Sequence, residues 1–181
     1  MTVIPVSHHN LLDESTLYPE ECTIENTKEV TALLEAYGVP VYLSGHLHLQ
    51  RIKKHTSNLN TPGGYGIREI VTSPLPMAPC QYSILNWQAD GSLSYHTKKV
   101  DIAGWAQRYG EEDENLLNFD AYADQFLVDV ISEQTFKALQ SASKDIKEEM
   151  ARLYADMNRD YCSGTKIDVA KIRKSEAYQY W

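Results

Sequence analysis

The first part of the chain alternates short apolar runs with one amphipathic segment. Residues 2–7 (TVIPVS) and 39–45 (VPVYLSG) are rich in apolar and β-branched side chains, which predicts two buried strands. Between them, apolar residues recur on one helical face, and Asn26 with Glu29 predicts a capping-box start, while Gly38 predicts the helix end. A strand–helix–strand unit of this size favours parallel, neighbouring strands.

The pattern continues with strands and then changes to helices. Alternating residues on either side of Asp90 and Gly91 predict a β-hairpin, and a further strand precedes it within residues 67–75. Beyond residue 101 the spacing becomes helical and predicts two amphipathic helices, within residues 119–142 and 144–162. We therefore expect an α/β part over residues 1–100 and a helical segment over residues 101–181. Residues 11–25 and 56–66 are predicted to be loops.

Composition narrows the classes of protein that the chain can represent. The formal charge of −8, from 17 basic and 25 acidic residues, argues against broad electrostatic binding of nucleic acid. The three cysteines are far apart and form no CxxC pair. No apolar stretch approaches the ~18–20 residues of a membrane span, and the start has no signal-peptide pattern. We therefore expect a soluble protein, and the sequence does not indicate its cellular compartment. The basic run at residues 51–54 is interpreted as a solvated segment.

Histidines follow both strands of the predicted strand–helix–strand unit. His8 and His9 come directly after the first strand, and His46 and His48 follow the second strand behind Gly45. Because the carboxyl ends of parallel strands meet at one edge of a sheet, these side chains are expected to converge. Imidazole is a good ligand for Zn, Mn, Fe, Co or Ni. The residues alone leave a metal site and ordinary hydrogen-bonded histidines as equal alternatives.

The segments VIPVSHHN and GHLH, separated by a helix and a strand, resemble the calcineurin-like metallophosphoesterase family over residues 2–100. The resemblance implies part of an αββα sandwich with a mixed sheet, a crossover helix and a C-terminal hairpin. It also implies that His8 and His46 bind one metal ion and that His48 binds a neighbouring one, although His9 could replace His8. His9 and Asn10 would then support the ligands or face the substrate, and Gly45 would let the backbone approach the metals.

The same resemblance implies that the site is incomplete. The family's Asp-x-His, Gly-Asp-x-x-Asp and Gly-Asn-His motifs do not occur in the sequence, and three neutral imidazoles cannot hold two cations roughly 3.5–4 Å apart. No catalytic residue is therefore expected in this chain. We expect the C-terminal part of a metal-dependent phosphoric ester hydrolase, a phosphatase or phosphodiesterase, with little activity by itself.

The expected cofactors are two divalent or trivalent ions (Mn, Fe, Zn, Co or Ni), bound in the intact protein and only partly held here. The expected partners are a phosphoester substrate, the missing N-terminal half of the domain, and a second copy of the chain that covers an exposed sheet face. The alternative is a non-catalytic interaction or regulatory module with a vestigial or mononuclear histidine metal site.

Overall fold

The computed structural model describes residues 3–12, 22–55 and 66–180. Most of the loops predicted at residues 11–25 and 56–66 lie outside the described residues. The chain divides into two compact units, Met1–Pro74 and Leu75–Trp181. In the first unit, the elements are α1 (Thr27–Ala36), β1 (Val41–Ser44), β2 (Arg51–Lys54) and β3 (Arg68–Val71). The elements of the second unit are β4 (Gln81–Trp87), β5 (Leu93–Lys99), α2 (Ile102–Tyr109), α3 (Glu114–Leu117), α4 (Phe119–Ala138), α5 (Lys144–Ser163), α6 (Val169–Ile172) and α7 (Glu176–Tyr180).

The first unit contains a small mixed sheet in the order β1-β3-β2. Strand β1 pairs with β3 in parallel, and β2 pairs with β3 in the antiparallel sense. The predicted strand at residues 2–7 is reduced to a single parallel bridge between Val6 and Leu43. Beside this bridge the Ser7 amide donates to the Leu43 carbonyl at 3.0 Å, so the first segment still lies parallel to β1 as the sequence predicts.

Strand β2 is formed by residues 51–54, the run interpreted from the sequence as solvated. Its residues pair with β3 from Arg51↔Val71 to Lys54↔Arg68. Three of its four residues are exposed, and β2 is the last strand in the order of the sheet. Lysine and arginine on such an edge discourage further strand pairing, which explains why a charged run can be a strand.

Helix α1 ends as predicted but begins differently. Asn26 has φ 58° and its side chain makes no capping hydrogen bond, so the capping-box prediction is wrong. Gly38, with φ 66°, follows the last turn and supplies the left-handed residue that ends many helices. Of the predicted apolar face, Leu33 and Tyr37 are exposed. The helix side chains that pack on the core cluster of Leu11, Leu12, Tyr42 and Ile67 are those of Val30 and Leu34.

The hairpin in the second unit is confirmed. Strands β4 and β5 pair in antiparallel register from Gln81↔Lys99 to Trp87↔Leu93, and Gly91 has the positive φ that its turn requires. The Gln81 side chain, buried at the start of β4, donates to the Cys162 carbonyl of α5 at 2.8 Å. This bond ties the hairpin to the helices of the same unit.

Helices α4 and α5, the two predicted amphipathic segments, form the centre of the second unit. A core of Ala78, Leu127 and Ala155 is completed by partly buried Met77, Ala123, Val128 and Ile131. The start of α5 is capped by the Ser143 hydroxyl, and Gly164 ends it with φ 77°. Among the helices of the described ranges, none combines the length and apolar character that crossing a membrane requires.

The described residues thus form an α/β protein with two small sheets and several helices, as predicted at that level. The described strands do not establish the αββα sandwich. The boundary near residue 101 and the second copy that covers a sheet face stay predictions.

The packing of the second unit predicts the cost of a truncation on α4. Leu127 is 7% exposed within the core, so Leu127→Ala should lower the free energy of unfolding by about 2–5 kcal/mol. Urea unfolding followed by tryptophan fluorescence measures this, because all three tryptophans lie beyond residue 74. Leu75→Ala in the same unit is the matched control, since Leu75 is 53% exposed and should change stability by no more than about 0.5 kcal/mol. Equal losses for both variants would contradict this packing.

Candidate functional site

Three histidine rings lie together in the first unit. The ring centroids of His8 and His46 are 5.0 Å apart, those of His8 and His9 are 5.3 Å apart, and those of His9 and His46 are 4.4 Å apart. The rings of His9 and His46 are stacked, whereas His8 meets both edge-on. The sequence-based expectation that histidines following the two parallel segments converge is therefore met by these three residues. We call them the histidine cluster.

Backbone hydrogen bonds hold the two segments of the histidine cluster in place. The carbonyl of His8 accepts from the amide of Gly45 at 3.1 Å and from the amide of His46 at 2.8 Å. The Tyr42 hydroxyl donates to the Ser7 hydroxyl at 2.6 Å, and Ser7 in turn donates to the His9 carbonyl. Parallel alignment of the first segment with β1 therefore fixes which histidines meet.

The contact between His8 and His46 gives the cluster a defined proton chemistry. His8 Nε2 and His46 Nδ1 are 3.1 Å apart, so one nitrogen carries the proton and the other accepts it. A neutral imidazole has one N–H and one lone pair. In either direction of this hydrogen bond, the neutral pair therefore presents one acceptor nitrogen on one ring and one N–H donor on the other.

Burial and neighbouring rings lower the pKa of His46 from its ordinary value of 6.5. The largest cause is partial desolvation, which disfavours the charged ring, and repulsion from His9, His8 and His48 follows in that order. At neutral pH His46 is accordingly in its neutral form, which can accept a proton. The folded state takes up this proton less readily than the unfolded chain, so this group makes stability fall as the pH drops through the unfolded pKa.

His48 does not continue the strand that precedes it. Strand β1 ends at Ser44, the chain turns through residues 46 and 47, and His48 adopts φ 54° while its amide donates to the Gly45 carbonyl at 3.1 Å. The alternation that would place His46 and His48 on one face is therefore interrupted. His48 is exposed and still close enough to His46 to affect its pKa.

A buried carboxylate that sequence reasoning missed anchors both segments. Glu69 on β3 is fully buried, and its Oε1 accepts from the Leu11 amide at 2.8 Å and from the Ser44 hydroxyl at 2.6 Å. Its Oε2 accepts from the Leu12 amide at 2.6 Å. The available signal was a glutamate directly before the apolar pair that ends the strand REIV, where a buried charge needs partners.

Asn10 joins the same network and is fully buried. Because the Ser44 hydroxyl donates its only proton to Glu69, it must accept from Asn10 Nδ2, which is 3.2 Å away. This orientation leaves Asn10 Oδ1 buried without a hydrogen-bond partner in the part of the chain that the structure describes. Gly45 is not required here for lack of space, because a Cβ added to it would meet the Thr72 carbonyl oxygen at an ordinary 3.8 Å.

The remaining histidines lie outside the histidine cluster. His55 Nδ1 is 2.9 Å from the Glu35 carboxylate, an ion pair when the ring is protonated. His96 is exposed on β5 opposite Ile84 in the second unit. Both are therefore surface residues with local contacts.

A metal ion needs a group of donor side chains that lie close together. Across residues 3–12, 22–55 and 66–180, no three His, Cys, Asp or Glu side chains form a group that could hold a metal ion. Glu69, which lies behind the two histidine segments, already accepts three hydrogen bonds from the protein. Its carboxylate oxygens thus both have hydrogen-bond partners within the protein.

Comparison with known proteins points to another family. Residues 101–181 match the family described as the C-terminal domain of cyclic nucleotide phosphodiesterase. No curated protein matches the chain. The matched family is not the calcineurin-like metallophosphoesterase family, and it covers the helical segment rather than the histidine segments.

The expected family membership is therefore wrong. The same match overturns the expected function as part of a metal-dependent phosphoric ester hydrolase, and it overturns the alternative with a histidine metal site. The lack of a metal-holding group in the described ranges agrees with this result. The physical reason is that spaced histidines specify convergence but not the carboxylates a metal centre needs. The separate assignment of His8, His46 and His48 as ligands, and the choice of metals, stay predictions.

The crowding of rings makes the protonation of His46 measurable. In a pH titration of ring ¹H–¹³C NMR signals, we expect His46 to titrate below 6.5, because burial and the neighbouring rings disfavour its charge. His9→Ala should raise the pKa of His46, since it removes both a stacked ring and a repelling neighbour. His96→Ala in the second unit is the control and should leave it unchanged. A wild-type His46 that titrates at or above 6.5 would contradict this arrangement.

Proposed function

We propose that this chain acts in the hydrolysis of cyclic nucleotides, with residues 101–181 as the C-terminal domain of a cyclic nucleotide phosphodiesterase. The observation that carries the proposal is the family match over those residues. The histidine cluster of the first unit is the candidate for the chemistry.

Hydrolysis of a cyclic phosphodiester requires two proton transfers. Water attacks phosphorus, one ring P–O bond breaks, and the product is a nucleoside monophosphate. A base must remove a proton from the attacking water, and an acid must protonate the departing oxygen. Imidazole serves both purposes near neutral pH because its pKa lies close to the working pH.

The His8–His46 pair supplies these two functions in one contact. At 3.1 Å the two rings share a proton, and the neutral pair offers one acceptor and one donor nitrogen outside that contact. The lowered pKa of His46 favours its neutral, proton-accepting form at pH 7. His8 and His9 are exposed, so a phosphate oxygen can reach their N–H groups from solvent.

The proposal predicts that the chain binds a cyclic nucleotide at the histidine cluster. Adding 3′,5′-cyclic AMP should shift the ring signals of His8, His9 and His46 in ¹H–¹³C NMR spectra, because an anion near these rings changes their protonation and hydrogen bonding. Chromatography of the same samples detects any AMP that forms. We expect His46→Ala to weaken binding at least tenfold and to remove product formation wherever the wild type shows it.

His96→Ala is the matched control, because His96 is an exposed histidine outside the cluster. It should bind and turn over cyclic AMP as the wild type does. The proposal would be refuted if cyclic AMP, cyclic GMP and a 2′,3′-cyclic nucleotide all caused no ring shifts and gave no product.

The ligand prediction for His8, His46 and His48 has a separate test. The purified chain is dialysed against Zn²⁺ or Mn²⁺, freed of unbound ions and analysed for metal. If the prediction holds, wild type retains metal that His46→Ala and His48→Ala lose, whereas His96→Ala retains it. Absence of bound metal in the wild type would show that the ligand prediction is wrong without affecting the cyclic-nucleotide proposal.

A further inference from the structure

We propose that Glu69 is the positioning residue of the histidine cluster. It holds His8 and His46 in contact through a buried network of hydrogen bonds, although it touches neither ring in that network. Its importance for catalysis rests on the proposed function, whereas its effect on ring geometry does not.

The first argument is the position of the Glu69 carboxylate. It lies on β3, the middle strand of the sheet, opposite Tyr42 of β1 and Lys53 of β2 in the strand register. The residue is 0% exposed, so its polar oxygens must be satisfied inside the protein. Both oxygens accept hydrogen bonds, at distances from 2.6 to 2.8 Å.

The second argument is which segments supply the donors. The amides of Leu11 and Leu12 belong to the segment that carries His8 and His9, a few residues earlier in the chain. The Ser44 hydroxyl belongs to the end of β1, two residues before His46. One carboxylate therefore joins both segments, and it adds to the backbone hydrogen bonds that the His8 carbonyl accepts from Gly45 and His46.

The third argument is that the site requires a carboxylate and not an amide. Glu69 accepts on both oxygens, and an ionised carboxylate is an acceptor only. A glutamine of the same shape has one acceptor oxygen and one NH₂ group. The NH₂ group would face an N–H or O–H donor of the network, so the hydrogen bond on that side would be lost. Glu69→Gln thus removes one side of the anchor while it keeps the size of the side chain.

The test compares Glu69→Gln with Glu35→Gln in the full chain. Glu35 is a matched control, because its carboxylate is also poorly exposed in the first unit but pairs with His55, outside the histidine cluster. In Glu69→Gln we expect hydrogen exchange of the Leu11 or Leu12 amide to accelerate by about tenfold or more, as loss of a charge-assisted hydrogen bond implies. We also expect the nuclear Overhauser effect between the His8 and His46 rings to be lost. Glu35→Gln should change neither signal.

Ser44→Ala provides a milder variant where Glu69→Gln prevents folding of the first unit. It removes one of the three donors and leaves the amides of Leu11 and Leu12 on the carboxylate. We expect the His8–His46 Overhauser effect to weaken while exchange of the Leu11 and Leu12 amides stays within about twofold of wild type. A folded Glu69→Gln or Ser44→Ala chain whose His8 and His46 ring signals equal those of wild type would overturn the inference.

The ring measurements contain no nucleotide, so they separate this inference from the proposed function. Altered ring geometry in Glu69→Gln, together with a wild type that binds no cyclic nucleotide, supports the positioning role and refutes the proposed function alone. Unaltered ring geometry in Glu69→Gln, together with a wild type that binds a cyclic nucleotide, refutes the positioning role and supports the proposed function.

Discussion

The arrangement of the first unit depends on the buried carboxylate of Glu69. An ionised group removed from water is costly unless the protein supplies its hydrogen bonds. Here the donors are two successive backbone amides, of Leu11 and Leu12, and the Ser44 hydroxyl. Satisfying this charge requires the N-terminal segment to lie against the end of β1. Together with the backbone hydrogen bonds to the His8 carbonyl, this arrangement brings His8 to His46.

The histidine cluster has its own electrostatic constraint. Burial, and then repulsion from the neighbouring rings, lower the pKa of His46, whose ring centroid lies 4.4 Å from that of His9 and 5.0 Å from that of His8. His46 therefore favours its neutral form. The donor and acceptor nitrogens of the His8–His46 contact suit proton transfer.

The second unit is organised by different forces. Its helices α4 and α5 pack through small and medium side chains, including Leu127 and Ala155, and the hairpin is attached through the hydrogen bond from Gln81. The family match lies on the helical part of this unit, while the residues with candidate chemistry lie in the first. The match to a known family therefore lies on a segment whose sequence shows no chemical motif, and the family that the histidine motif suggested is contradicted by this match.

Sequence patterns predicted the features that depend on local periodicity and turn chemistry. They include the hairpin around Gly91, the two long helices, the end of α1 at Gly38 and the parallel alignment of the segments that carry the histidines. These features follow from side-chain spacing and backbone preference, which are properties of neighbouring residues. Strand β2 could not be predicted, because its charged residues form a strand only by pairing with β3.

The candidate site likewise has features that the local sequence pattern predicts and features that depend on tertiary contacts. The sequence by itself determined that histidines would follow two parallel segments, since strand ends and their following residues can be read from the pattern. Only the tertiary structure decided that His8, His9 and His46 meet, that His48 turns away from the strand, and that Glu69 holds the segments together. The physical reason is that the contacts of His8 with His46, and of Glu69 with Leu11 and Ser44, join residues from 25 to 58 positions apart, which local pattern does not specify.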